Sequence, residues 1–275
     1  MNAIEYCNTA KDISDWIRDY SKHAKLTSLV VGLSGGVDSG LVSTLCAMSG
    51  VKTFVVTLPC YSPVSSTKSA LAHVEWLENQ YLNVSHLNID LTKIYQTFQN
   101  TISNLKELNT LALANTKSRL RMTMLYHIAT IYNGLVVGTG NKVEDFGIGY
   151  FTKYGDGGVD ISPLAEFTKS EVISMAKSLG ILPEITNAVP CDDLWEDFEL
   201  PGKSLPDESQ FGATYAELER VIEFTEGVSH ELTARDIQVL RIYYKLHNST
   251  AHKRNPIPTF RRKNSISAIS LDIEP

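Results

Sequence analysis

Four short apolar segments alternate with segments of helical character, and this alternation constrains the fold more than any other feature of the chain. The predicted strands are SLVVGL (28–33), VKTFVVTL (51–58), NVSHLNID (83–90) and GLVVGTG (134–140). Helices are predicted over 38–49, up to about residue 80, and over 116–132. Strands separated by helices favour a parallel sheet that is covered on both faces. We therefore predict an α/β fold with a doubly wound parallel sheet flanked by helices.

The length of the chain suits one domain. Its 275 residues, 43% of them hydrophobic, are enough for a substantial core. We predict a single domain over 1–275, with a helical N-terminal segment (1–27), a sheet-bearing core (28–180) and a C-terminal part of loops, helices and a basic tail (181–275). The first segment carries apolar residues at helical spacing, namely Ile13, Trp16, Ile17 and Tyr20. Residues 186–215 are predicted to form an irregular loop, and the tail from His247 to be extended.

Composition excludes several classes of protein. A net charge of −6 gives the chain no general attraction to nucleic acid or to anionic membranes. No apolar run is long enough to span a bilayer, and the N-terminus lacks the pattern of a secretory signal. The cysteines are scattered, without the spacing of a zinc ribbon or a disulfide framework: Cys7, Cys46, Cys60 and Cys191. We therefore expect a cytoplasmic protein with no nucleic-acid or membrane partner.

The segment SGGVDS connects the first predicted strand to the first helix that follows it. Gly35 and Gly36 allow unusual backbone angles and close approach of a ligand, and free amides at a helix start attract anions. A phosphate chain fits such a loop, but the lysine of a Walker A loop is missing, as is the GxGxxG fingerprint. Asp38 would repel a bare phosphate. It is suited to a phosphate-bound Mg²⁺ instead.

A second group of polar residues follows the fourth predicted strand. The sequence VVGTGNKVEDFGIGYFTKYGDGGVDI includes Glu144 and the compact turn FTKYGDGG at 151–158, and TKSRLRM lies upstream at 116–122. Ligands of parallel sheets bind beyond the carboxyl ends of the strands. We therefore expect Glu144 and the turn to share one edge of the sheet with Asp38.

These motifs together resemble the NAD synthetase family. The loop SGGVDS is similar to the pyrophosphate loop of the ATP pyrophosphatase superfamily, and the whole set resembles NAD synthetases of the ammonia-dependent type from about Leu29 to Phe260. The resemblance implies an adenine nucleotide alpha hydrolase-like fold with the nucleotide in the 28–180 core. It also implies Mg²⁺-dependent use of ATP as co-substrate to adenylate the carboxylate of deamido-NAD. Ammonia then gives NAD⁺, AMP and pyrophosphate.

The resemblance implies a role for individual residues as well. ATP contacts are expected from Gly32, Leu33, Ser34, Gly35, Gly36, Val37, Asp38, Ser39, Thr139, Lys169 and Cys191. Metal ligands are expected at Asp38 and Glu144. Contacts with deamido-NAD are expected from Arg121, Lys153, Asp160, His252 and Lys253. Lys153 is also expected to stabilise charge in the transition state, and Asp156 to steer or deprotonate ammonia.

Two positions depart from the family pattern. The loop after the second strand, TLPCYSPVSSTKSA, has no arginine where the family often has one near the adenosine. We expect backbone groups near Leu58 to take its place. Cys191 lies where the family usually has a threonine or serine that contacts ATP, and a thiol is a weaker donor. Trp195 is expected either to pack in the loop or to cover the active site.

The alternatives concern the acceptor and the partner. The short segment before Leu29 holds no glutaminase domain, so free ammonia or a separate glutaminase is the expected nitrogen source. The family resemblance also implies a homodimer. An amidating enzyme with another carboxylate substrate, a tRNA-modifying enzyme of the same superfamily and a non-catalytic nucleotide-binding regulator are the other hypotheses.

Overall fold

The protein is described here by a computed structural model, which covers residues 1–105, 109–191 and 206–260. Within these ranges the strands are β1 (Ser28–Gly32), β2 (Lys52–Thr57), β3 (Val84–Asn88) and β4 (Gly134–Val136). They form a parallel sheet in the order β3-β2-β1-β4, in which Val30 pairs with both Phe54 and Val136. The predicted doubly wound α/β fold is confirmed.

Helices precede, connect and follow the strands. Those up to the fourth strand are α1 (Ala3–His23), α2 (Val37–Met48), α3 (Val64–Gln80), α4 (Thr92–Thr101) and α5 (Thr110–Ile131). After it come a π-helix (Lys142–Ile148), α6 (Lys169–Ser178), α7 (Pro183–Thr186), α8 (Asp207–Phe211), α9 (Tyr215–Thr225), α10 (Ala234–Ser249) and α11 (Ala251–Arg254). Among the residues described, no helix combines the length and the hydropathy that a membrane span requires.

Alternate residues of the strands enter two different cores. Leu29 and Val31 pack with residues of α1, α2, α3 and α6 on one face of the sheet. Val30 and Val136 pack with α4 and α5 on the other face. This alternation is a consequence of the period of two along a strand. It explains why the central strand β1 is apolar at the consecutive positions 29–31 instead of alternating with polar residues.

The order of the strands reverses at β1. The chain moves from β1 outward to β2 and β3, then crosses to the other side of β1 to form β4. In open parallel sheets, ligands bind in the crevice at such a reversal, beyond the carboxyl ends of the two strands. The loop that starts α2 and the segment that starts the π-helix both leave the sheet at this point.

A third core joins the C-terminal helices to the π-helix. Val143 and Ile148 of the π-helix pack with Leu218 of α9 and with Val239 and Tyr243 of α10. The C-terminal part of the chain therefore rests on the segment that carries Glu144 and not on the sheet itself.

Some elements differ from the sequence-based predictions. The fourth strand ends at Val136, and Val137 then bridges to Ile161. The tail is helical to Arg254 in α10 and α11, so the prediction of an extended tail from His247 was wrong for that part. Part of the predicted irregular region forms α8, whereas Trp195 lies outside the described residues.

Candidate active site

The loop after β1 is folded around two serine hydroxyls. The Ser34 amide donates to Ser39 Oγ at 3.2 Å, and the two hydroxyl oxygens lie 3.0 Å apart. Gly35 has φ +97°, and a side chain there would collide with the Ser66 carbonyl of α3. Glycine is therefore required at this position both by the backbone angle and by the packing of α3.

Helix α2 begins at this loop without a side-chain cap. Gly36 is the N-cap residue, and its carbonyl accepts the first helical hydrogen bond, from the Gly40 amide at 3.0 Å. The amides of Val37, Asp38 and Ser39 therefore have no partner within the helix. Three such amides at the positive end of a helix dipole, beside two serine hydroxyls, form a site suited to an anion.

Asp38, Lys169 and Glu144 meet across the crevice at the strand reversal. Lys169 Nζ lies 2.5 Å from Asp38 Oδ2 and 2.9 Å from Glu144 Oε1. The Lys169 side chain is only 4% exposed. The expectation that the two carboxylates share one edge of the sheet agrees with this arrangement, and Lys169 joins them.

Asn141 connects the two acidic residues. Its Nδ2 donates to Asp38 Oδ1 at 3.2 Å, while its Oδ1 accepts from the amides of Val143 and Glu144, both at 3.0 Å. The second pair of bonds caps the π-helix. Such helices are rare and occur often at functional sites. One buried amide thus fixes Asp38 relative to the helix that presents Glu144.

Tyr215 completes the group from the C-terminal part of the chain. Its hydroxyl lies 2.6 Å from Glu144 Oε1 and 3.3 Å from Asp207 Oδ2. A hydroxyl carries one proton, so it donates to one of these carboxylates at a time. Helices α8 and α9 therefore contribute directly to the electrostatics of the site.

The charges of the group depend on one another. Burial by itself lowers the pKa of Lys169, but the attraction of Asp38 and Glu144 outweighs it, so this pKa is raised and the amine is protonated. For Asp38, desolvation by burial raises the pKa against the attraction of Lys169. For Glu144, burial also opposes ionisation, but Lys169 and the hydrogen bonds from Tyr215 and Asn141 lower the pKa. The positive charge of Lys169 thus favours the ionised forms of both buried carboxyl groups.

The donor set fits a divalent cation of the Mg²⁺ type. Asp38 and Glu144 each place a carboxylate oxygen within 2.9 Å of one common point, which is occupied by a cationic group of the protein itself. Mg²⁺ is typically bound by one or two carboxylates together with phosphate oxygens and water. Among the residues described, no cluster of three or more acidic, histidine or cysteine side chains forms a metal cage.

The turn at 151–158 is held by the tail. Lys153 Nζ donates to the His252 carbonyl at 2.6 Å. Lys253 Nζ donates to the carbonyls of Gly149 and Phe151 at 2.9 and 2.6 Å. The structure thus brings Lys153, His252 and Lys253 together, as the family pattern implies. In this arrangement both lysines are bound to backbone carbonyls.

Asp156 is held by α5. Its Oδ1 accepts hydrogen bonds from Ser118 Oγ at 2.6 Å and from the Thr152 amide at 3.0 Å. The Ser118 hydroxyl also accepts a bond from the Asp156 amide at 2.9 Å. Gly155 leaves room for this hydroxyl, because a side chain there would collide with Ser118. The position of the Asp156 carboxylate therefore depends on the glycine turn.

The two arginines of TKSRLRM point to different segments. Arg119 Nε donates to the Lys153 carbonyl at 3.3 Å. Arg121 instead donates to the Leu58 carbonyl at 3.2 Å and to Ser62 Oγ at 3.3 Å, in the loop after β2. The structure therefore places Arg119 at the turn. It places Arg121 at the loop after β2, which contains no arginine of its own.

The remaining predicted residues lie near the ends of β1 and β4 or at the end of a described range. Asp160 accepts from the Val136 amide at 2.8 Å and from the Tyr126 hydroxyl at 3.0 Å, which anchors it at the end of β4. Thr139 follows β4 directly, and Gly32 and Leu33 end β1. Cys191 is half-buried at the end of a described range.

Sequence reasoning missed Asn141 and Tyr215. Asn141 had a detectable signal, since an asparagine three residues before Glu144 has the spacing of a helix N-cap. Tyr215 had none, because it lies far from the other residues in the chain and reaches Glu144 only through the packing of α9.

The fold and the site define an α/β protein with a cationic and acidic crevice at the reversal of a parallel sheet. The sequence profile of the NAD synthase family matches residues 9–257, so the chain belongs to that family. Members of it are ligases that form C–N bonds, and this chain is such an enzyme.

Similar proteins support the assignment. The chain is 39% identical to an NH₃-dependent NAD⁺ synthetase of Carboxydothermus hydrogenoformans over 82% of its own length and 88% of the relative. It is 35% identical to the Archaeoglobus fulgidus protein of the same name, over 90% and 94%. Its fold is similar to that of NMN synthetase from Francisella tularensis, with a TM-score of 0.81, 29% identity, and coverage of 95% and 100%.

Proposed function

We propose that the chain amidates deamido-NAD with ammonia, in a reaction that uses ATP and Mg²⁺ and passes through an adenylated carboxylate. The products are NAD⁺, AMP and pyrophosphate. The observation that carries the proposal is the meeting of Asp38 and Glu144 at Lys169, beside the free amides of α2. Two carboxylates next to an anion site suit a metal-bound triphosphate. Without a cation between them, the carboxylates would repel an anion bound at the amides of α2.

ATP binds, in this proposal, along the loop from Gly32 to Ser39. The free amides of α2 and the hydroxyls of Ser34 and Ser39 donate to phosphate oxygens. Thr139 and Cys191 contribute weaker contacts from the neighbouring segments. Asp38 and Glu144 would hold Mg²⁺, which would supply positive charge to the phosphate oxygens and so favour pyrophosphate as a leaving group.

The acid substrate lies at the turn that carries Lys153. The substrate carboxylate attacks the α-phosphorus, and the bond to the pyrophosphate oxygen breaks. Lys153 would have to exchange its bond with the His252 carbonyl for one with the oxygen that gains charge. Lys253, His252 and Asp160 then surround the substrate, with Asp160 held by Tyr126.

For the guanidinium contact, the family resemblance points to Arg121 and the geometry favours Arg119. Arg119 contacts the backbone of Lys153 itself, whereas Arg121 is bonded to the loop after β2. We therefore propose that Arg119 faces the acid substrate and that Arg121 holds the loop on the nucleotide side.

Asp156 is proposed to prepare ammonia. Ammonium dominates at neutral pH, yet only neutral ammonia attacks a carbonyl, so a carboxylate that binds the cation and accepts its proton is useful. Asp156 is oriented for this by Ser118 and the Thr152 amide. Ammonia then attacks the adenylated carbonyl carbon, and AMP leaves.

A second candidate substrate is the acid form of the mononucleotide. The solved structure from Francisella tularensis is named as an NMN synthetase and covers 95% of this chain. The same adenylation and amidation would then act on nicotinic acid mononucleotide. The roles proposed for Lys153 and Asp156 are compatible with either acid, since both concern the reaction at the carboxyl group that the two acids share.

The test is a mass balance with both acids. The protein is incubated with ATP, Mg²⁺, ammonium and either deamido-NAD or nicotinic acid mononucleotide, and AMP and amide products are quantified. We expect equal amounts of AMP and NAD⁺. If only the mononucleotide is amidated, nicotinic acid mononucleotide is the substrate and deamido-NAD is not. Pyrophosphate release without any amide would contradict the proposed function.

The assembly and the compartment belong to the same proposal. The family resemblance supports a homodimer, with ammonia taken from solution or from a separate glutaminase. The four cysteines are free thiols, two of them buried, as expected in the reducing cytoplasm.

A further inference from the structure

Lys169 occupies the point that the proposed function assigns to a divalent metal. Its ammonium group lies 2.5 Å from Asp38 Oδ2 and 2.9 Å from Glu144 Oε1. Both oxygens therefore already lie against one positive charge of the protein. A metal ion that entered beside Lys169 would experience the repulsion of a like charge at a few ångströms.

Lys169 can leave this point only toward another anion. It is the first residue of α6 and its side chain is almost completely buried, and a buried ammonium without a counter-charge is strongly destabilising. Asp38 is the second residue of α2, whose free amides form the anion site. Nucleotide phosphates bound there would therefore lie within reach of Lys169.

We propose that Lys169 is an internal counter-ion that holds the metal position in the nucleotide-free protein and moves to the phosphates when nucleotide binds. Metal and nucleotide then enter together. In both states each of these three residues has an opposite charge beside it. Lys169 lies with the two carboxylates before binding, and with phosphate afterwards, when the carboxylates hold the metal. The inference rests on the proposed use of ATP and a divalent metal.

The inference predicts how the protein binds metal when no nucleotide is present. The probe is Mn²⁺, followed by the loss of its free-ion signal in electron paramagnetic resonance. We expect weak binding to the wild-type protein. In Lys169→Met the positive charge is removed at nearly constant length, and Mn²⁺ should bind at least about ten-fold more tightly, because two carboxylates are left without a cation.

Two further variants make the test independent of folding. Lys169→Gln keeps an amide donor for the carboxylates but no charge, and it should also gain Mn²⁺ affinity, which decides the matter if Lys169→Met does not fold. Lys177→Met, on the exposed side of the same helix, serves as the matched control and should bind Mn²⁺ as the wild type does.

Adding the non-hydrolysable analogue α,β-methylene ATP should bring tight Mn²⁺ binding to the wild type, measured as loss of free-ion signal beyond that of a protein-free sample with the same analogue. Tight Mn²⁺ binding to the wild type without nucleotide, or no gain in either Lys169 variant, would overturn the inference. The amidation assay tests the proposed function separately. If the enzyme amidates its substrate and also binds Mn²⁺ tightly without nucleotide, the proposed function stands and the counter-ion role of Lys169 is wrong.

Discussion

At the scale of single residues, the site depends on a few charges that are held in place by neutral partners. Asp38 is bound both by Lys169 and by the amide of Asn141, which also caps the helix that carries Glu144. Such an arrangement fixes the separation of two like charges that would otherwise repel each other. Loss of one charge should therefore affect the whole group.

Asp38→Asn tests the role of this residue in metal binding. The substitution removes a ligand charge and also half of the partner set of Lys169. We expect the amidation rate at saturating substrates to fall by about 10²–10³-fold, the typical effect of removing one preorganised electrostatic group. A circular dichroism melt confirms folding. Near-normal kinetics would show that Asp38 is not a metal ligand.

Lys153→Ala tests whether Lys153 acts in the transition state. In that case kcat should fall while KM for the acid changes little, since ground-state binding is preserved. Lys11→Ala, an exposed position on α1, is the control with a comparable loss of charge. A change confined to KM would reassign Lys153 to substrate binding.

Arg119 and Arg121 provide a paired comparison. The structure places Arg119 at the Lys153 turn and Arg121 at Leu58, so Arg119→Ala should raise KM for the acid and Arg121→Ala should raise KM for ATP. Steady-state kinetics with each substrate varied separately decide between them. The reverse pattern would support the assignment of Arg121 to the acid substrate.

At the scale of elements, the sequence located the strands well and the segments around them less well. Strands β1, β2 and β4 contain consecutive apolar residues because both of their faces are buried, and such runs are visible without any tertiary information. The edge strand β3, VSHLN, is mostly half-buried. The π-helix is not visible in this way, since it depends on the Asn141 cap and on packing against α9 and α10.

The tail shows how local composition can mislead. Its polar and basic residues predict an extended end from His247, yet His247 Nδ1 lies 2.6 Å from the Gly147 carbonyl and the Thr250 hydroxyl donates to the Ile148 carbonyl at 3.0 Å. These contacts with the π-helix segment form only when distant parts of the chain meet. The sequence motifs therefore indicated the candidate site residues, while their mutual contacts required the fold.

The loop before α2 gives a test with a built-in control. Gly35→Ala combines a positive φ with a collision against Ser66, whereas Gly50→Ala has a positive φ and open space around it. Both should lose about 1 kcal/mol for the left-handed backbone. Only Gly35→Ala should lose more stability and also ATP affinity, as measured by urea unfolding and calorimetry. Equal effects would show that α3 does not constrain the loop.

The contact between α2 and α3 predicts a pH dependence of stability. Burial lowers the pKa of His73 to about 4, against the opposing effect of its hydrogen bond to the Gly40 carbonyl. Between about pH 6.5 and 4 the unfolded chain binds a proton that the folded chain does not. Stability is therefore full above the unfolded pKa and decreases as the pH falls.

The expected loss from His73 between pH 7 and 5 is about 2 kcal/mol. Urea unfolding at the two pH values measures it, with His73→Gln as the comparison because glutamine does not titrate. The wild type should lose about 2 kcal/mol more than the variant. If the wild type and His73→Gln lose the same free energy of unfolding, protonation of His73 does not cause the pH dependence.

At the scale of the whole molecule, the crevice at the strand reversal combines contributions from the entire described chain. The loop after β1 supplies Asp38, the π-helix supplies Glu144, and the C-terminal helices supply Tyr215 and the tail that holds Lys153. The central claim is that these parts serve one reaction, in which a carboxylate oxygen of the substrate becomes bonded to the α-phosphorus of ATP.

An isotope-transfer experiment tests this claim most directly. The substrate acid is labelled with ¹⁸O in its carboxylate, and a single turnover is analysed by mass spectrometry. The account predicts one ¹⁸O atom in the AMP released with each amide formed. Label in inorganic phosphate together with ADP, or amide formation with unlabelled AMP, would contradict it.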